Sequence, residues 1–400
     1  MSFEAAAVPA PAGTRRLAVL GMRLTGFRNY DRLHLDVDAR PVVLTGANGA
    51  GKTNLLEAIS YLGAGRGLRG ARLADIDRRG GEGPRPVMEG DALAGQPWAV
   101  AATLEGPFGA FEVGTGRDGA SQTARRIVRV DGKPASGPAA LAERVPVLWL
   151  TPAQDRLFLD RPGARRRYLD KLVAALDPAH AGRINEYERA LRERAHLLKE
   201  GGADPAWLSA LERTMAETGV AIAAARRQAA ADFTRAAAEG IGPFPAAVIE
   251  VAGDVEGWLA EGPALAAEDR LADALGASRP RDTEAGGAAA GPYRSDMVVH
   301  HRARALPAAE LSTGEQKTLL VSILLGVARL QTATRGFAPL MLLDEVSAHF
   351  DGRHRGALFA EISALAAQAW MTGTDAELFA PLQGAARFLT VAQGHVRDAA

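Results

Sequence analysis

The sequence contains no cysteine. This absence excludes disulfide scaffolds, thiol nucleophiles, and zinc or iron–sulfur sites held by cysteine. The chain also lacks any apolar run near the roughly 20 residues that a membrane-spanning helix needs. Residues 1–16 are rich in Ala and Pro and have no basic segment ahead of an apolar one, so we expect a disordered extension and not a signal peptide. These absences together indicate a soluble, cytoplasmic protein without a membrane partner.

The chain also has no formal net charge at pH 7, because its 47 Lys and Arg residues balance its 47 Asp and Glu residues. Nucleic-acid-binding proteins are often basic overall, so any DNA contact of this chain must come from a local patch. Lysine is scarce, since only 5 of the 47 basic residues are Lys. Arginine suits phosphate because its planar guanidinium binds in a bidentate manner, although a genomic codon bias is the better explanation for most of these residues.

Apolar residues make up 47% of the 400 positions, which is enough for two or three folded domains. Short apolar or alternating segments predict strands in the first part of the chain, whereas Ala-rich stripes at helical spacing predict about three helices over residues 164–240. Near the C-terminal end of the chain, segments typical of strands and segments typical of helices alternate again. We therefore predict an α/β fold in which a head built from both chain ends carries an inserted α-helical domain. The predicted divisions are a disordered extension at 1–16, the N-terminal part of the head at 17–162, a helical domain at 163–275, a flexible insertion at 276–291, and the C-terminal part of the head at 292–400.

A glycine-rich loop lies between a predicted buried strand and a predicted helix, which is the context of a phosphate-binding P-loop. Its residues are Gly46, Ala47, Asn48, Gly49, Ala50, Gly51, Lys52 and Thr53. Glycines let backbone N–H groups wrap a phosphate chain, and the helix N-terminus adds its dipole. Lys52 is expected to reach the β- and γ-phosphates, and the Thr53 hydroxyl to bind Mg²⁺. The alternative is a glycine turn that contains Lys by chance.

Four apolar residues at 340–343 precede two carboxylates, the pattern of a Walker B strand. Asp344 would hold Mg²⁺ and Glu345 would act as the general base on the attacking water. Taken alone, this segment is also compatible with an ordinary buried strand that ends in an acidic turn.

A third motif, 32 residues before Asp344, matches the L-S-x-G-x-Q signature of ABC-type ATPases. Ser312 and Gly314 lie before a predicted helix, where a hydroxyl, an unhindered backbone and a helix dipole can meet an anion. The simpler interpretation, an N-cap completed by Glu315 in a capping box, is compatible with this role. Residues 347–351 resemble the D-loop of the same class and end at Asp351. No His follows the next strand, where most ABC ATPases have one; Thr374 stands there, which predicts slow hydrolysis.

The spacing of these motifs and six further blocks resemble the RecF family of bacterial recombination-repair ATPases. About 260 residues separate Thr53 from Ser312, more than in a transporter ATPase and far fewer than in an SMC protein. The blocks are GFRNY at 26–30, NLLEAI at 54–59, TPAQD at 151–155, RRRYLD at 165–170, GPYRSD at 291–296 and STGEQK at 312–317. The resemblance runs over residues 17–396. Tyr293 departs from it, because the family usually has His there.

The resemblance implies the function of a DNA replication and repair protein: ATP-dependent binding of double-stranded DNA near single-strand gaps. Such binding supports RecA loading with RecO and RecR in gap repair, fork restart and the SOS response. ATP and Mg²⁺ are the implied cofactors, and a weak, DNA-dependent ATPase would serve as the switch of an ATP-dependent homodimer. In that dimer, Ser312 and Gly314 of one subunit complete the nucleotide site of the other. The alternatives are another SMC-like repair or defence ATPase and, further off, a transporter ATPase subunit.

The remaining predicted site residues are a Q-loop residue and two groups of arginines. Gln154 is the candidate for the Q-loop residue that the ABC class carries. Two groups of arginines are candidate contacts to DNA phosphates, without base readout. They are Arg66, Arg69 and Arg72 after the P-loop helix, which Arg78 and Arg79 could extend, and Arg165, Arg166 and Arg167 at the start of a helix.

Overall fold

The computed structural model describes residues 16–78, 97–119, 125–201, 204–238, 240–346 and 350–399. The chain divides into two compact units, one formed by Met1–Pro152 with Gln331–Ala400 and the other by Ala153–Leu330. The two ends of the chain therefore form one unit, and the segment between them forms the second.

In chain order, the N-terminal part of the first unit contains β1 (Ala18–Phe27), β2 (Tyr30–Asp36), β3 (Val42–Thr45), α1 (Lys52–Ser60), β4 (Ala99–Gly106), β5 (Gly109–Arg117), β6 (Arg126–Val130), β7 (Lys133–Pro134) and β8 (Val147–Leu150). The second unit contains α2 (Pro162–Leu176), α3 (His180–Glu200), α4 (Pro205–Ala236), β9 (Ala247–Ala252), α5 (Asp254–Glu261), α6 (Ala264–Ala277), α7 (Arg279–Ala285), β10 (Asp296–His301), β11 (Leu306–Pro307) and most of α8 (Thr313–Arg335). The C-terminal part of the first unit adds β12 (Leu340–Leu343), α9 (Gly352–Ala364), β13 (Ala369–Gly373), β14 (Arg387–Ala392) and β15 (His395–Asp398).

The first unit contains two six-stranded sheets. One is antiparallel, in the order β2-β1-β4-β5-β6-β7. The other has the order β15-β14-β3-β13-β12-β8, and all of its strands except β15 run parallel. Every residue of β3, β12 and β13 is buried, which accounts for the unbroken apolar runs that predict them. Because these strands are parallel, their carboxyl ends meet at one edge, where ligands of open α/β sheets bind.

Asp131 and Gly132 form the turn of a β-hairpin. These two residues join β6 to β7 and have φ values of 50° and 74°. Positive φ at both central positions is the geometry that matches the twist of paired strands, and Asp-Gly is among the dipeptides that adopt it most readily.

The second unit contains the three predicted helices α2, α3 and α4, which are separated near Pro178 and Gly201. It also contains a three-stranded sheet in the order β11-β10-β9, which the sequence pattern does not predict. Residues 292–330, assigned to the head from the sequence, fall in this unit, since β10 pairs with β9 along its whole length.

Residues 276–291 differ from the predicted flexible insertion, because they contain helix α7. Its residue Asp282 is buried and accepts hydrogen bonds from Arg194 Nη1 at 2.9 Å and from Ser278 Oγ at 2.6 Å. Arg194 is itself fully buried and also donates to Glu212 at 2.9 Å. A buried charge needs such partners, so this network fixes the segment against α3 and α4.

Within the described ranges, no helix combines the length and the apolar character needed to cross a membrane.

Candidate nucleotide site

The P-loop connects β3 to α1, and two of its glycines are required by their surroundings. Gly51 has φ 119°, and a Cβ there would lie 2.5 Å from Asn29 Nδ2. Gly46 has φ 141°, and its Cβ would lie 2.2 Å from the carbonyl oxygen of Val391. Any larger residue at either position would combine a strained backbone with a clash, so the loop conformation depends on glycine.

Side chains at the turn between β1 and β2 hold the P-loop in place by hydrogen bonds to its backbone carbonyl groups. Tyr30 Oη donates to the Gly51 carbonyl at 3.0 Å, and Asn29 Nδ2 donates to the Ala50 carbonyl at 3.2 Å. Asn54 Nδ2 in turn donates to Asn29 Oδ1 at 2.7 Å. These contacts explain why the block at residues 26–30 accompanies the P-loop in the sequence: its polar side chains bind carbonyl groups of the loop.

The Lys52 side chain folds back against the start of the P-loop. Its ammonium donates to the carbonyl oxygens of Gly46 at 2.5 Å and Ala47 at 3.0 Å, and the residue is only 4% exposed. Burial lowers the pKa of Lys52, and the carboxylates of Glu345 and Asp344 oppose this only in part. A nearby anion stabilises the charged form of such a buried ammonium, so the position suits a phosphate.

The predicted Walker B carboxylate meets the predicted magnesium-binding hydroxyl. Thr53 Oγ1 lies 3.0 Å from each carboxylate oxygen of Asp344, although 291 residues separate the two in sequence. The Asp344 N–H donates to the Leu150 carbonyl at 2.9 Å, which aligns the exit of β12 with that of β8. The structure thus brings together the two residues that the sequence assigned to Mg²⁺.

Thr372, at the end of β13, is a site residue that the sequence motifs did not reveal. Its hydroxyl donates to Asp344 Oδ1 at 2.8 Å and accepts the Glu345 N–H at 2.9 Å, and the residue is fully buried. Glu345 has φ 52°, a conformation that a non-glycine residue adopts only when its surroundings hold it. Thr374, expected from the sequence at the position of the missing His, is exposed beyond the end of the strand.

The donor set at this point fits Mg²⁺. This ion prefers oxygen ligands and usually combines one or two protein groups with water and substrate phosphates. The Thr53 hydroxyl and the Asp344 carboxylate supply two oxygens beside the loop that would hold those phosphates.

The signature residues lie in the second unit, at the N-terminus of the 23-residue helix α8. The expected capping box is confirmed: Glu315 Oε2 accepts from the Ser312 N–H at 3.0 Å and from its hydroxyl at 2.8 Å. These hydrogen bonds from Ser312, with Arg304 at 2.6 Å, hold the pKa of Glu315 below its ordinary value. Ser312 and Gly314 are exposed, and a Cβ on Gly314 would meet nothing within 4 Å. An approaching anion can therefore reach this helix N-terminus.

The structure also places Asp351 and Gln154, which the sequence assigned to the nucleotide site. Asp351 is the N-cap of α9, where it accepts the His354 N–H at 2.8 Å, and this bond holds the pKa of Asp351 below its ordinary value. Gln154 ends a 3₁₀ turn in the second unit and is partly exposed. The rest of the predicted D-loop, residues 347–349, lies outside the described residues.

The first group of candidate DNA-binding arginines lies on the loop after α1. Arg66 and Arg72 are exposed. Arg69 is exposed as well, but its guanidinium forms an ion pair with Glu57, a fully buried carboxylate that also accepts two hydrogen bonds from Arg28 at 2.7 and 2.9 Å. Arg69 therefore compensates a buried charge. Arg79, a possible extension of this group, is outside the described residues, whereas Arg78 lies 3.1 Å from Asp31.

The second group lies in the first turns of α2. Arg165 forms a bidentate pair with Asp296 at 2.5 and 2.8 Å, and Arg166 donates to the Ser295 carbonyl at 2.6 Å. Both thus join α2 to the start of β10 within the second unit. Arg167 is exposed on the same turn.

Comparison with known proteins agrees with this architecture. An AAA domain family model matches residues 22–77, the segment around the P-loop. The DNA replication and repair protein RecF of Mesorhizobium japonicum is 48% identical over 381 residues, which cover 94% of this chain and 96% of that protein.

Two solved structures show the same fold. That of the recombination mediator protein RecF-ATPrS in the RecFOR pathway superposes with a TM-score of 0.80 at 19% identity, covering 96% of this chain and 98% of the other. A Pyrococcus furiosus Smc head domain, bound to the C-terminal domain of ScpA, gives a TM-score of 0.50 at 14% identity, with 96% of each chain covered. The fold is that of an ABC-type P-loop ATPase head formed by both chain ends, with an inserted helical domain. Because it is 48% identical to the Mesorhizobium protein over 94% of its length, the chain belongs to the RecF family of DNA replication and repair proteins.

Proposed function

We propose that this protein binds ATP with Mg²⁺ at the carboxyl edge of the parallel sheet. The observation that carries the proposal is the 3.0 Å contact between Thr53 Oγ1 and both oxygens of Asp344. In this proposal the loop N–H groups and the α1 N-terminus hold the phosphates, and Lys52 neutralises part of their charge. Thr53 and Asp344 would hold Mg²⁺, and the bound ion would supply positive charge beside the phosphates.

Hydrolysis in this proposal is slow and uses Glu345 as the general base. Its position depends on the backbone N–H that donates to Thr372, because this bond fixes the residue at a positive φ. A base must lie within hydrogen-bonding reach of the proton it removes, so a shift of the Glu345 backbone would reduce the rate. We propose that this weak, DNA-dependent activity resets a switch and does not drive transport.

The switch we propose is ATP-dependent homodimerisation. Ser312 and Gly314 are exposed at the positive end of a long helix, which favours an anion supplied by another molecule. ATP bound to one subunit would thus contact the signature helix of its partner. Asp351 and Gln154 are proposed to belong to the same composite site.

The proposed ligand of the dimer is double-stranded DNA near single-strand gaps. Membership of the RecF family supports this ligand, and with it a role in the cytoplasm beside RecR, RecO and RecA in gap repair, fork restart and the SOS response. The exposed guanidinium groups of Arg66, Arg72 and Arg167 are the proposed phosphate contacts. Arg69, Arg165 and Arg166 contribute less in this proposal, because each already binds a carboxylate or carbonyl of this chain.

The ATP proposal is tested by calorimetry with and without Mg²⁺. Asp344→Asn removes the charge beside Thr53 and keeps the side-chain shape. The matched control is Asp398→Asn, an exposed Asp of the same unit that pairs with Arg387. We expect wild type and control to bind ATP more tightly with Mg²⁺ and Asp344→Asn to lose that gain. A full magnesium effect in Asp344→Asn would contradict the assignment.

A further inference from the structure

The start of helix α8 carries a negative charge at the place where the proposed dimer would bring an anion. Glu315 Oε2 accepts the Ser312 N–H at 3.0 Å and the Ser312 hydroxyl at 2.8 Å. These hydrogen bonds hold the pKa of Glu315 below its ordinary value, so the group is a carboxylate at neutral pH. A polyphosphate that approaches Ser312 would therefore be repelled by Glu315 unless another group supplied positive charge.

Arg304 supplies positive charge at this position. Its Nη1 lies 2.6 Å from Glu315 Oε1, whereas the Ser312 hydroxyl binds the other carboxylate oxygen. The Arg304 side chain is 53% exposed, so a ligand outside the subunit can reach it. A guanidinium has five N–H donors in a planar fork. The ion pair with Glu315 is made through Nη1, and Arg304 can therefore bind a phosphate beside the carboxylate.

A tight hairpin holds Arg304 next to the signature residues. Arg304 lies in the turn at residues 302–305, between β10 and β11. The Ala305 N–H donates to the His301 carbonyl at 2.9 Å, and Ala305 has φ 52°. Strand β11 then leads through a single 3₁₀ turn into α8. The hairpin and the helix N-terminus are thus joined by a short connection and by the pair between Arg304 and Glu315, within one unit of the chain.

We propose that Arg304 is a further residue of the composite nucleotide site, where it binds the terminal phosphates of the ATP held by the partner subunit. The proposal rests on the proposed ATP-dependent dimer and adds a cation from outside the signature motif. In the monomer, Glu315 accepts from both the Ser312 hydroxyl and Arg304. In the dimer, phosphate oxygens accept from both donors. The bond from Arg304 involves two charges and is therefore the stronger of the two contacts.

The test compares two arginines of the same turn. Arg304→Ala removes the proposed contact. Arg302→Ala is the matched control, because Arg302 is also exposed and its Nη1 donates to the Ala238 carbonyl at 3.4 Å. Sedimentation with ATP and Mg²⁺ gives the dissociation constant of the dimer. ATP binding to the monomer is measured by calorimetry at protein concentrations below that constant.

A second pair of variants separates a phosphate contact from simple neutralisation of Glu315. Glu315→Gln removes the negative charge, and glutamine still completes a capping box. This change is made alone and together with Arg304→Ala. If Arg304 served only to neutralise Glu315, its removal would have no effect once the carboxylate is gone.

We expect Arg304→Ala to keep the ATP affinity of the monomer and to weaken the dimer at least about tenfold, because each of its two sites loses a charged hydrogen bond. Arg302→Ala should match the wild type. Glu315→Gln should dimerise at least as tightly as the wild type. The double variant should remain at least about tenfold weaker than Glu315→Gln alone.

Four results would overturn the role of Arg304. They are a dimer of normal strength in Arg304→Ala, an equal loss in Arg302→Ala, no effect of Arg304→Ala in the Glu315→Gln background, and a lower ATP affinity of the Arg304→Ala monomer, which would place the contact within one subunit. A wild type that does not dimerise with ATP would instead refute the proposed dimer, and the role of Arg304 with it.

Discussion

Replacing Thr372 by Val tests whether a buried hydroxyl holds the two acidic residues of the site in place. The two side chains have nearly the same shape, so Thr372→Val removes hydrogen bonds without opening a cavity. The bond to the Asp344 carboxylate involves a charge and is worth about 1.5–3 kcal/mol, and the bond from the Glu345 N–H about 0.5–1.5 kcal/mol. We therefore expect the unfolding free energy of the first unit to fall by about 2–4.5 kcal/mol.

Urea unfolding followed by circular dichroism and tryptophan fluorescence measures this loss. Trp370, fully buried two residues away in β13, contributes to the fluorescence signal. The control Thr372→Ser keeps the hydroxyl and removes one methyl group, which costs about 1 kcal/mol. ATP turnover should fall about 10- to 100-fold in Thr372→Val, because Glu345 loses the contact that fixes its backbone, and much less in Thr372→Ser.

The difference between Thr372→Val and Thr372→Ser shows whether the hydroxyl group has the proposed role. If Val and Ser are equally stable and hydrolyse ATP at the same rate, the hydroxyl does not hold the Walker B residues, and the role assigned to Glu345 is wrong.

Four further variants separate the parts of the proposed cycle. Ser312→Arg should still bind ATP but remain monomeric in sedimentation experiments, and normal ATP-dependent dimerisation would exclude the signature helix from the interface. Lys52→Ala should weaken ATP binding, whereas Glu345→Gln should keep it, slow turnover and prolong the dimer; equal loss of binding in both would contradict these roles. Joint replacement of Arg66 and Arg72 by Ala should reduce the steepness of log affinity for DNA against log salt by up to about 4, since each phosphate contact contributes about 0.9 and the dimer carries both arginines twice.

The arginine change has a matched control in the same unit. Arg40→Ala with Arg387→Ala removes two cations that pair with Asp38 and Asp398. This double variant should leave the salt slope unchanged. A slope that changes equally in both double variants would indicate a general effect of net charge and not a phosphate contact at the loop.

Much of the first unit could be predicted because its signals are local. The P-loop, the Walker B strand and the Asp131-Gly132 turn each follow from a short run of residues whose type fits one conformation. The capping box at Ser312 follows in the same way. Contact between Thr53 and Asp344 was predictable only by combining two motifs, because 291 residues separate them.

The missed features depend on contacts that no short segment encodes. Thr372 acquires its role because β13 lies beside β12 in the sheet, and the sequence directed attention to Thr374 instead. Helix α7 is fixed by the buried partners of Asp282, although its composition resembles a flexible segment. Arg69 resembles a surface cation in the sequence but compensates the buried Glu57. Each of these cases reflects long-range pairing of polar groups, which composition and periodicity do not report.

The most direct test of the central proposal is binding of a fluorescently labelled gapped duplex, measured by anisotropy at low salt with and without ATP and Mg²⁺. ATP should tighten binding, because a dimer doubles the number of basic patches facing one duplex and linked weak contacts gain from effective concentration. Binding should also weaken steeply with salt and vary little with base sequence, as phosphate contacts require. The same affinity with and without ATP would contradict the proposal that nucleotide binding at Lys52, Thr53 and Asp344 controls engagement of DNA.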